Sequence, residues 1–143
     1  MKNLFSISLL ILAMFGFNSF AQVGQPVGSG PEITVDKDLH DYGTIEYASD
    51  GTCVFTVTNT GNAPLIISFC KGSCGCTVPE WSKDPIAPGA STKIKVKYDT
   101  KRPGPFNKSV TITSNAVNEP SKVVKIKGAV KENPAGPSTP PAN

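Results

Sequence analysis

The four cysteines are the residues of this sequence best suited to chemistry. Cys74 and Cys76 are separated by a single glycine, whereas Cys53 and Cys70 lie upstream at wider spacing. Two neighbouring thiols can form a disulfide, bind a soft metal such as Cu(I) or Zn(II), or exchange electrons with another thiol. For Cys74 and Cys76 we expect a structural disulfide, and a metal site or a redox pair is the alternative.

A metal site that uses Cys74 and Cys76 lacks further ligands in the sequence. Both methionines, Met1 and Met14, precede the mature domain, and the chain has one histidine, His40, which nothing in the sequence places near the pair. Two thiolates alone leave the coordination of a soft metal incomplete. We therefore predict no metal and no other cofactor in a single chain.

Cys53 and Cys70 are predicted to form a disulfide across a β-hairpin. The runs Thr52–Asn59 and Pro64–Phe69 flank a four-residue turn, and a hairpin about this turn places Cys53 opposite Cys70. Directly opposed residues of an antiparallel pair can have Cα spacings that suit a disulfide. A slip of one residue would place the two side chains on opposite faces, so two separate thiols, or a bond from Cys70 to Cys74, are the alternatives.

No catalytic constellation accompanies the cysteines. The only histidine, His40, stands beside Asp41, but catalysis also requires a positioned nucleophile or substrate contact. The sequence contains no nucleophile elbow, Ser-x-x-Lys motif or phosphate-binding glycine loop. Trp81 is a candidate aromatic contact for a ligand, although we favour its packing over an adjacent loop with its N–H bonded. We therefore predict a protein that is not an enzyme.

The first 21 residues have the features of a secretory signal peptide. Lys2 precedes the apolar stretch Leu4–Phe17, and small residues at Ser19 and Ala21 suit a signal peptidase. Cleavage after Ala21 lowers the formal charge from +3 to +2, which gives no support for nucleic-acid binding. We predict an exported protein, periplasmic or extracellular, with no membrane span after cleavage and in an environment where disulfides persist.

The mature sequence predicts one all-β domain between two flexible ends. Residues 22–31 are rich in glycine and proline and predict a leader, whereas residues 131–143 are proline-rich and predict a disordered tail. Residues 32–130 contain about seven short runs with alternating polarity and frequent turns, which favour a β-sandwich. These runs are Glu32–Val35, His40–Tyr47, Thr52–Asn59, Pro64–Phe69, Thr92–Tyr98, Lys108–Ser114 and Lys122–Val130.

The segment around the Cys-Gly-Cys motif also carries a family resemblance. Ser73–Trp81 (SCGCTVPEW) resembles the signature of the bacterial domain-of-unknown-function 1573 family. Further matching segments follow the family order, and they are Asp41–Ile45, Phe55–Gly61, Pro64–Ile67, Ile86–Gly89, Ser114–Ala116 and Ile126–Gly128. The resemblance implies an immunoglobulin-like sandwich and no established activity. It assigns no role to Cys53 or Cys70.

The sequence as a whole favours a non-catalytic exported module that binds an envelope protein or a glycan, or that serves a structural role. The alternating strands, the flexible ends and the lack of a catalytic motif support this interpretation. The alternative is a copper- or redox-handling protein that uses Cys74 and Cys76.

Overall fold

The computed structural model describes residues 29–136, and they form eight β-strands. In chain order, the strands are β1 (Ile33–Val35), β2 (Leu39–Ile45), β3 (Thr52–Asn59), β4 (Ile67–Gly72), β5 (Thr77–Glu80), β6 (Ser91–Tyr98), β7 (Gly104–Ser114) and β8 (Ser121–Val130). The predicted signal peptide, most of the predicted leader and residues 137–143 lie outside this range. Within it, no helix has the length and apolar character needed to cross a membrane.

The strands form two four-stranded sheets. The first sheet has the order β1-β3-β6-β5, and the second has the order β2-β8-β7-β4. Every pairing is antiparallel except that of β2 with β8, which is parallel. The alternation in β6 places Ile94, Val96 and Tyr98 in the interior, as the sequence predicted, and leaves the intervening lysines exposed.

The hydrophobic core lies between the two sheets. Its fully buried side chains come from both sheets, which makes the fold a β-sandwich. The largest of them are Phe55, Leu65, Ile67, Ile94, Ile112 and Ile126. Each sheet therefore has one inner face in this core and one outer face in water.

The strand that sequence analysis missed is β5, so there are eight strands rather than about seven. It covers Thr77–Glu80 and pairs with β6 alone, which makes it an edge strand. Pro79 lies within it, and proline is compatible with an edge strand because one side of that strand has no ladder to complete. The short length and the proline concealed the alternation.

The predicted hairpin between β3 and β4 is wrong. β3 pairs with β1 and β6 in the first sheet, whereas β4 pairs with β7 in the second, so the connecting loop crosses the sandwich. Cys53 lies opposite Val96, and Cys70 lies opposite Ile112. The register that placed the two cysteines face to face therefore does not exist, and both are free thiols.

The packed domain extends slightly beyond the predicted boundaries. Gly30 and Pro31 are buried, and Gly30 exchanges hydrogen bonds with Asn62. At the other end, the Lys131 amide donates to the Ile45 carbonyl over 2.9 Å. The ordered contacts thus begin within the last residues of the predicted leader and end just after β8.

Candidate functional site

The Cys-Gly-Cys motif forms the loop that carries the chain from β4 in one sheet to β5 in the other. The Thr77 amide donates to the Cys74 carbonyl over 3.2 Å and closes a tight turn. The Ser73 amide donates to the Ser109 carbonyl over 2.8 Å, and the Asp99 amide donates to the Cys76 carbonyl over 2.9 Å. Backbone contacts to both sheets therefore hold this loop in place.

Cys74 and Cys76 form a disulfide across this turn. Their Cα atoms lie 5.3 Å apart, within the range that disulfides span. The two sulfurs differ in environment, because Cys76 is only 4% exposed whereas Cys74 is partly exposed. The buried hydroxyl of Thr77 lies 3.8 Å from Cys74 Sγ and 3.9 Å from Cys76 Sγ.

An open concavity of about 450 Å³ lies beside the disulfide. Cys70 and Cys74 both contribute to its lining, together with Lys71, Val78 and Pro79. Burial raises the pKa of the Cys70 thiol to about 12, so Cys70 is protonated near neutral pH. A protonated thiol is a poor nucleophile, which separates the chemistry of Cys70 from that of the bonded pair.

Cys53 is a residue of β3, outside this loop, and it is buried in the core. Burial raises the pKa of its thiol, and the nearby Tyr42 and Lys37 side chains only partly oppose this effect. The Tyr42 hydroxyl donates to the Gly51 carbonyl over 2.7 Å. Cys53 and Cys70 are thus two separate buried thiols, which was one of the alternatives open to the sequence.

The structure does not bring His40 and Asp41 together as a catalytic pair. The His40 ring lies edge-on to Tyr42, with centroids 4.5 Å apart, and desolvation is the main cause of its lowered pKa. The Asp41 carboxylate accepts from the Gly43 amide over 2.8 Å and pairs with Lys127 at 3.2 Å. Within residues 29–136, no three His, Cys, Asp or Glu side chains group closely enough to hold a metal.

Trp81 packs at the edge of the second sheet immediately after β5. Its indole N–H donates to the Ile67 carbonyl over 3.3 Å, and its ring meets Phe69 edge-on with centroids 6.1 Å apart. Trp81 also contacts the core, whereas Phe69 is 53% exposed. Phe69, which sequence analysis did not select, is therefore the more exposed of these two aromatic rings.

The outer face of the second sheet carries an apolar diagonal formed by Leu39, Val123 and Phe69. Strand β2 pairs directly with β8, and β7 lies between β8 and β4. The register places all three side chains away from the core. They are 42%, 42% and 53% exposed. Lys125 lies opposite Leu39, and Lys71 shares a row with Val123 through Thr111.

The outer face of the first sheet differs in composition. β6 places Lys93, Lys95 and Lys97 there, and Lys95 approaches Glu80 at 4.0 Å. Val78 is the one large apolar side chain of this face that is highly exposed among the described residues. The two faces are therefore unequal, because the apolar diagonal of the second sheet has no counterpart on the first.

A family model described as "Protein of unknown function (DUF1573)" matches residues 33–130. No curated protein matches the sequence. The matched range covers β1 to β8 and therefore includes both sheets and the Cys-Gly-Cys loop.

Solved structures with little sequence similarity share the fold. A protein of unknown function from Porphyromonas gingivalis W83 is 16% identical with a TM-score of 0.63, and the match covers 78% of this chain and 51% of that chain. This chain thus spans about half of that protein's length.

Two further structures extend the range of proteins with this fold. The ASH/PapD-like domain 7 of human CEP192 is 10% identical with a TM-score of 0.58, and the match covers 92% of this chain and 99% of that chain. The secreted serine protease VesC from Vibrio cholerae is 16% identical with a TM-score of 0.54, over 69% of this chain and 23% of that chain. At these identities the likeness shows the fold alone.

Proposed function

This chain belongs to the DUF1573 family, whose description names no activity, and we propose that it is an exported, non-catalytic, immunoglobulin-like module that binds a protein of the cell envelope. The observation that carries the proposal is the apolar diagonal of Leu39, Val123 and Phe69 on the second sheet. Large apolar patches exposed on folded domains are associated with sites of protein interaction, and this supports the proposal.

The charges beside the diagonal indicate the chemistry of the partner. Lys71 and Lys125 are exposed, and neither forms an ion pair within the described residues. Lys127, by contrast, is paired with Asp41. A partner that presents apolar side chains flanked by carboxylates would complement this face, because opposite charges favour encounter and fix orientation. This argument favours a protein over a neutral glycan.

Crosslinking and affinity capture from the native envelope test the proposed face. Replacing Phe69 and Val123 by serine should abolish capture of the partner that the wild-type protein binds, since apolar anchors at an interface carry most of its affinity. Val78→Ser is the matched control, because it removes an equally exposed side chain from the other sheet. Retention of the partner by the Phe69→Ser, Val123→Ser double variant would exclude the diagonal as the binding surface.

Export is a separate part of the proposal. It rests on the signal-like segment that ends at Ala21. The intact mass of the protein recovered outside the cytoplasm should correspond to a chain that begins at Gln22. A mass that includes residues 1–21 would contradict the proposed cleavage.

A redox role is a second candidate function. The observation in its favour is the Cys74–Cys76 disulfide on an anchored loop, with Cys74 partly exposed beside an open concavity. Exposed disulfides are the ones available for exchange with other thiols. Thiol titration along a series of glutathione redox buffers should show reversible reduction of this pair in the folded protein, and elemental analysis would reveal copper if the pair serves as a metal ligand instead.

A further inference from the structure

The two sulfurs of the Cys74–Cys76 disulfide are not equally open to attack. Cys74 lines the concavity with Lys71 and Val78, whereas Cys76 is 4% exposed. A separate shallow groove reaches Cys76 beside Lys97 and Tyr98, but the side chain itself remains almost entirely covered. Exchange begins when a thiolate reaches one sulfur of a disulfide, so access decides which sulfur is attacked.

We infer that this disulfide accepts a thiolate at Cys74 and releases Cys76 as the leaving thiolate, with the Thr77 hydroxyl stabilising that leaving group. The substrate class is an exposed dithiol of another exported protein. This inference rests on the second candidate function and goes beyond it by assigning separate roles to the two cysteines and a role to Thr77.

The Thr77 hydroxyl lies close to both sulfurs. It is 2% exposed, and its hydroxyl oxygen lies 3.8 Å from Cys74 Sγ and 3.9 Å from Cys76 Sγ. A hydroxyl can donate its proton in a hydrogen bond to a thiolate, and such bonds to a charged acceptor are stronger than neutral ones. Thr77 is thus a positioning residue whose effect should appear when Cys76 becomes negatively charged.

The exchange balances without an external oxidant. A thiolate of the partner forms a bond to Cys74 Sγ, the Cys74–Cys76 bond breaks, and its electron pair remains on Cys76 Sγ, which then takes a proton from water. The partner's second thiolate attacks the partner's sulfur in the mixed disulfide and releases Cys74 as a thiolate, which also takes a proton from water. The partner's two thiols are oxidised to a disulfide, and Cys74 and Cys76 are reduced to two thiols.

Cys70 lines the same concavity but does not compete as the nucleophile. Its thiol is 4% exposed, and burial keeps it protonated near neutral pH. The attacking thiol therefore comes from outside the chain.

The assignment is tested by trapping the mixed disulfide of the mature protein. The oxidised protein is mixed with glutathione, quenched with acid at short times and alkylated, and the tryptic peptide of residues 72–83 is fragmented between Cys74 and Cys76. We expect glutathione on Cys74 and the alkyl group on Cys76. Glutathione on Cys76, or equally on both, would overturn the assignment while leaving the redox candidate intact. Failure of any buffer to reduce the folded protein would overturn both.

The role of Thr77 is tested by the rate of reduction. Thr77→Val keeps the shape of the side chain and removes the hydroxyl, and we expect reduction by glutathione to slow by roughly tenfold or more, in line with a lost hydrogen bond to a charged group. Thr77→Ser, which retains the hydroxyl, should restore most of the rate. Equal rates for the valine and serine variants would show that the hydroxyl has no part in the exchange.

Discussion

Asn59 is the polar residue most completely enclosed by the fold. It ends β3 and is 0% exposed. Its amide nitrogen donates to the carbonyls of Ala63 and Ile86 over 2.8 and 2.9 Å, and its carbonyl oxygen accepts from the Gly61 amide over 3.0 Å. One side chain thus satisfies the backbone of the loop that carries the chain from the first sheet to the second.

Replacing Asn59 by alanine should destabilise the protein by about 1–3 kcal/mol, because the Ala63 carbonyl and the amides of Gly61 and Glu32 lose their partner. Urea unfolding measures the change. Asn107→Ala is the matched control, since Asn107 is exposed on β7 and makes no side-chain hydrogen bond within the described residues. Equal stability of the two variants would contradict the structural role of Asn59.

The state of the cysteines gives a second prediction at this scale. Cys53 and Cys70 are free and 5% and 4% exposed, whereas Cys74 and Cys76 are bonded. Alkylation without a reductant should label two thiols after denaturation and almost none in the native protein, because the reagent cannot reach them. Peptide mapping should place both labels on Cys53 and Cys70. A count of zero or four would contradict the observed pairing.

Asp41 should make stability depend on acid pH. The Gly43 amide, and secondly Lys127, hold the pKa of its carboxyl below the ordinary value of 3.8. The folded state therefore binds this proton less readily than the unfolded state, and the stabilisation present above pH 3.8 is lost as the pH falls through the lowered value. Urea unfolding should show that Asp41→Asn is less stable than the wild type at pH 7 and that the difference shrinks near pH 2. A constant difference across that range would exclude the contribution.

At the scale of the elements, the crossing from β4 to β5 depends on one glycine. A Cβ atom on Gly72 would collide with the backbone carbonyl of Thr77, so the end of β4 and the start of β5 can approach closely only with glycine there. Gly75, at the tip of the same loop, has no atom within 4 Å of the corresponding position. Gly72 and Gly75 therefore have different structural roles.

Gly72→Ala and Gly75→Ala form a matched pair of variants. The first should cost roughly 1–3 kcal/mol in the free energy of unfolding, because backbone must move to admit the methyl group. The second should change stability little, since the site is open and its backbone does not have a positive φ. Chemical denaturation of both variants provides the measurement, and a reversed order would contradict the close approach.

The sequence predicted strand faces better than strand partners. Alternation in β6 correctly separated buried from exposed positions, because side chains on a strand alternate with a period of two. The same pattern does not indicate which sheet a strand joins. The short loop after Asn59 favoured a hairpin between β3 and β4, but in the structure this loop connects the first sheet to the second. The prediction of a Cys53–Cys70 disulfide was wrong for this reason.

The two candidate sites also differ in whether sequence analysis could find them. Cys74 and Cys76 are close in sequence, so their pairing was accessible to sequence analysis. The apolar diagonal of Leu39, Val123 and Phe69 draws on three strands that are far apart along the chain. A β-bulge between Ile67 and Phe69 also changes the alternation in β4, which hid Phe69 as an outward residue.

At the scale of the whole molecule, the folded unit begins earlier than its composition indicates. Gly30 and Asn62 exchange hydrogen bonds of 2.8 and 3.0 Å, and the Val117 amide donates to the Pro31 carbonyl over 2.8 Å. These contacts join the first residues of the domain to the loops that precede β4 and β8. Glycine and proline in a flanking segment thus do not by themselves exclude packing.

Truncation provides the test of this boundary. A chain of residues 30–136 should retain the thermal stability of the mature protein, whereas a chain of residues 32–136 should melt at a lower temperature because it loses the hydrogen bonds of Gly30 and Pro31. Thermal unfolding followed by far-UV circular dichroism compares the two. Equal melting temperatures would place the boundary where composition predicted it.

Because β2 pairs with β8, the second sheet can be completed only after the C-terminal part of the domain has been synthesised. β8 is the last strand of the chain and occupies an interior position of the second sheet, between β2 and β7. A chain that emerges from a ribosome or a translocation pore with its N-terminus first can bring β1, β3, β6 and β5 together before β8 is present. β2 pairs with β8 alone, so it has no strand partner until nearly the last residue of the domain has emerged. The second sheet therefore reaches its full set of pairings only after β8 has emerged, although the first sheet needs no residue beyond β6.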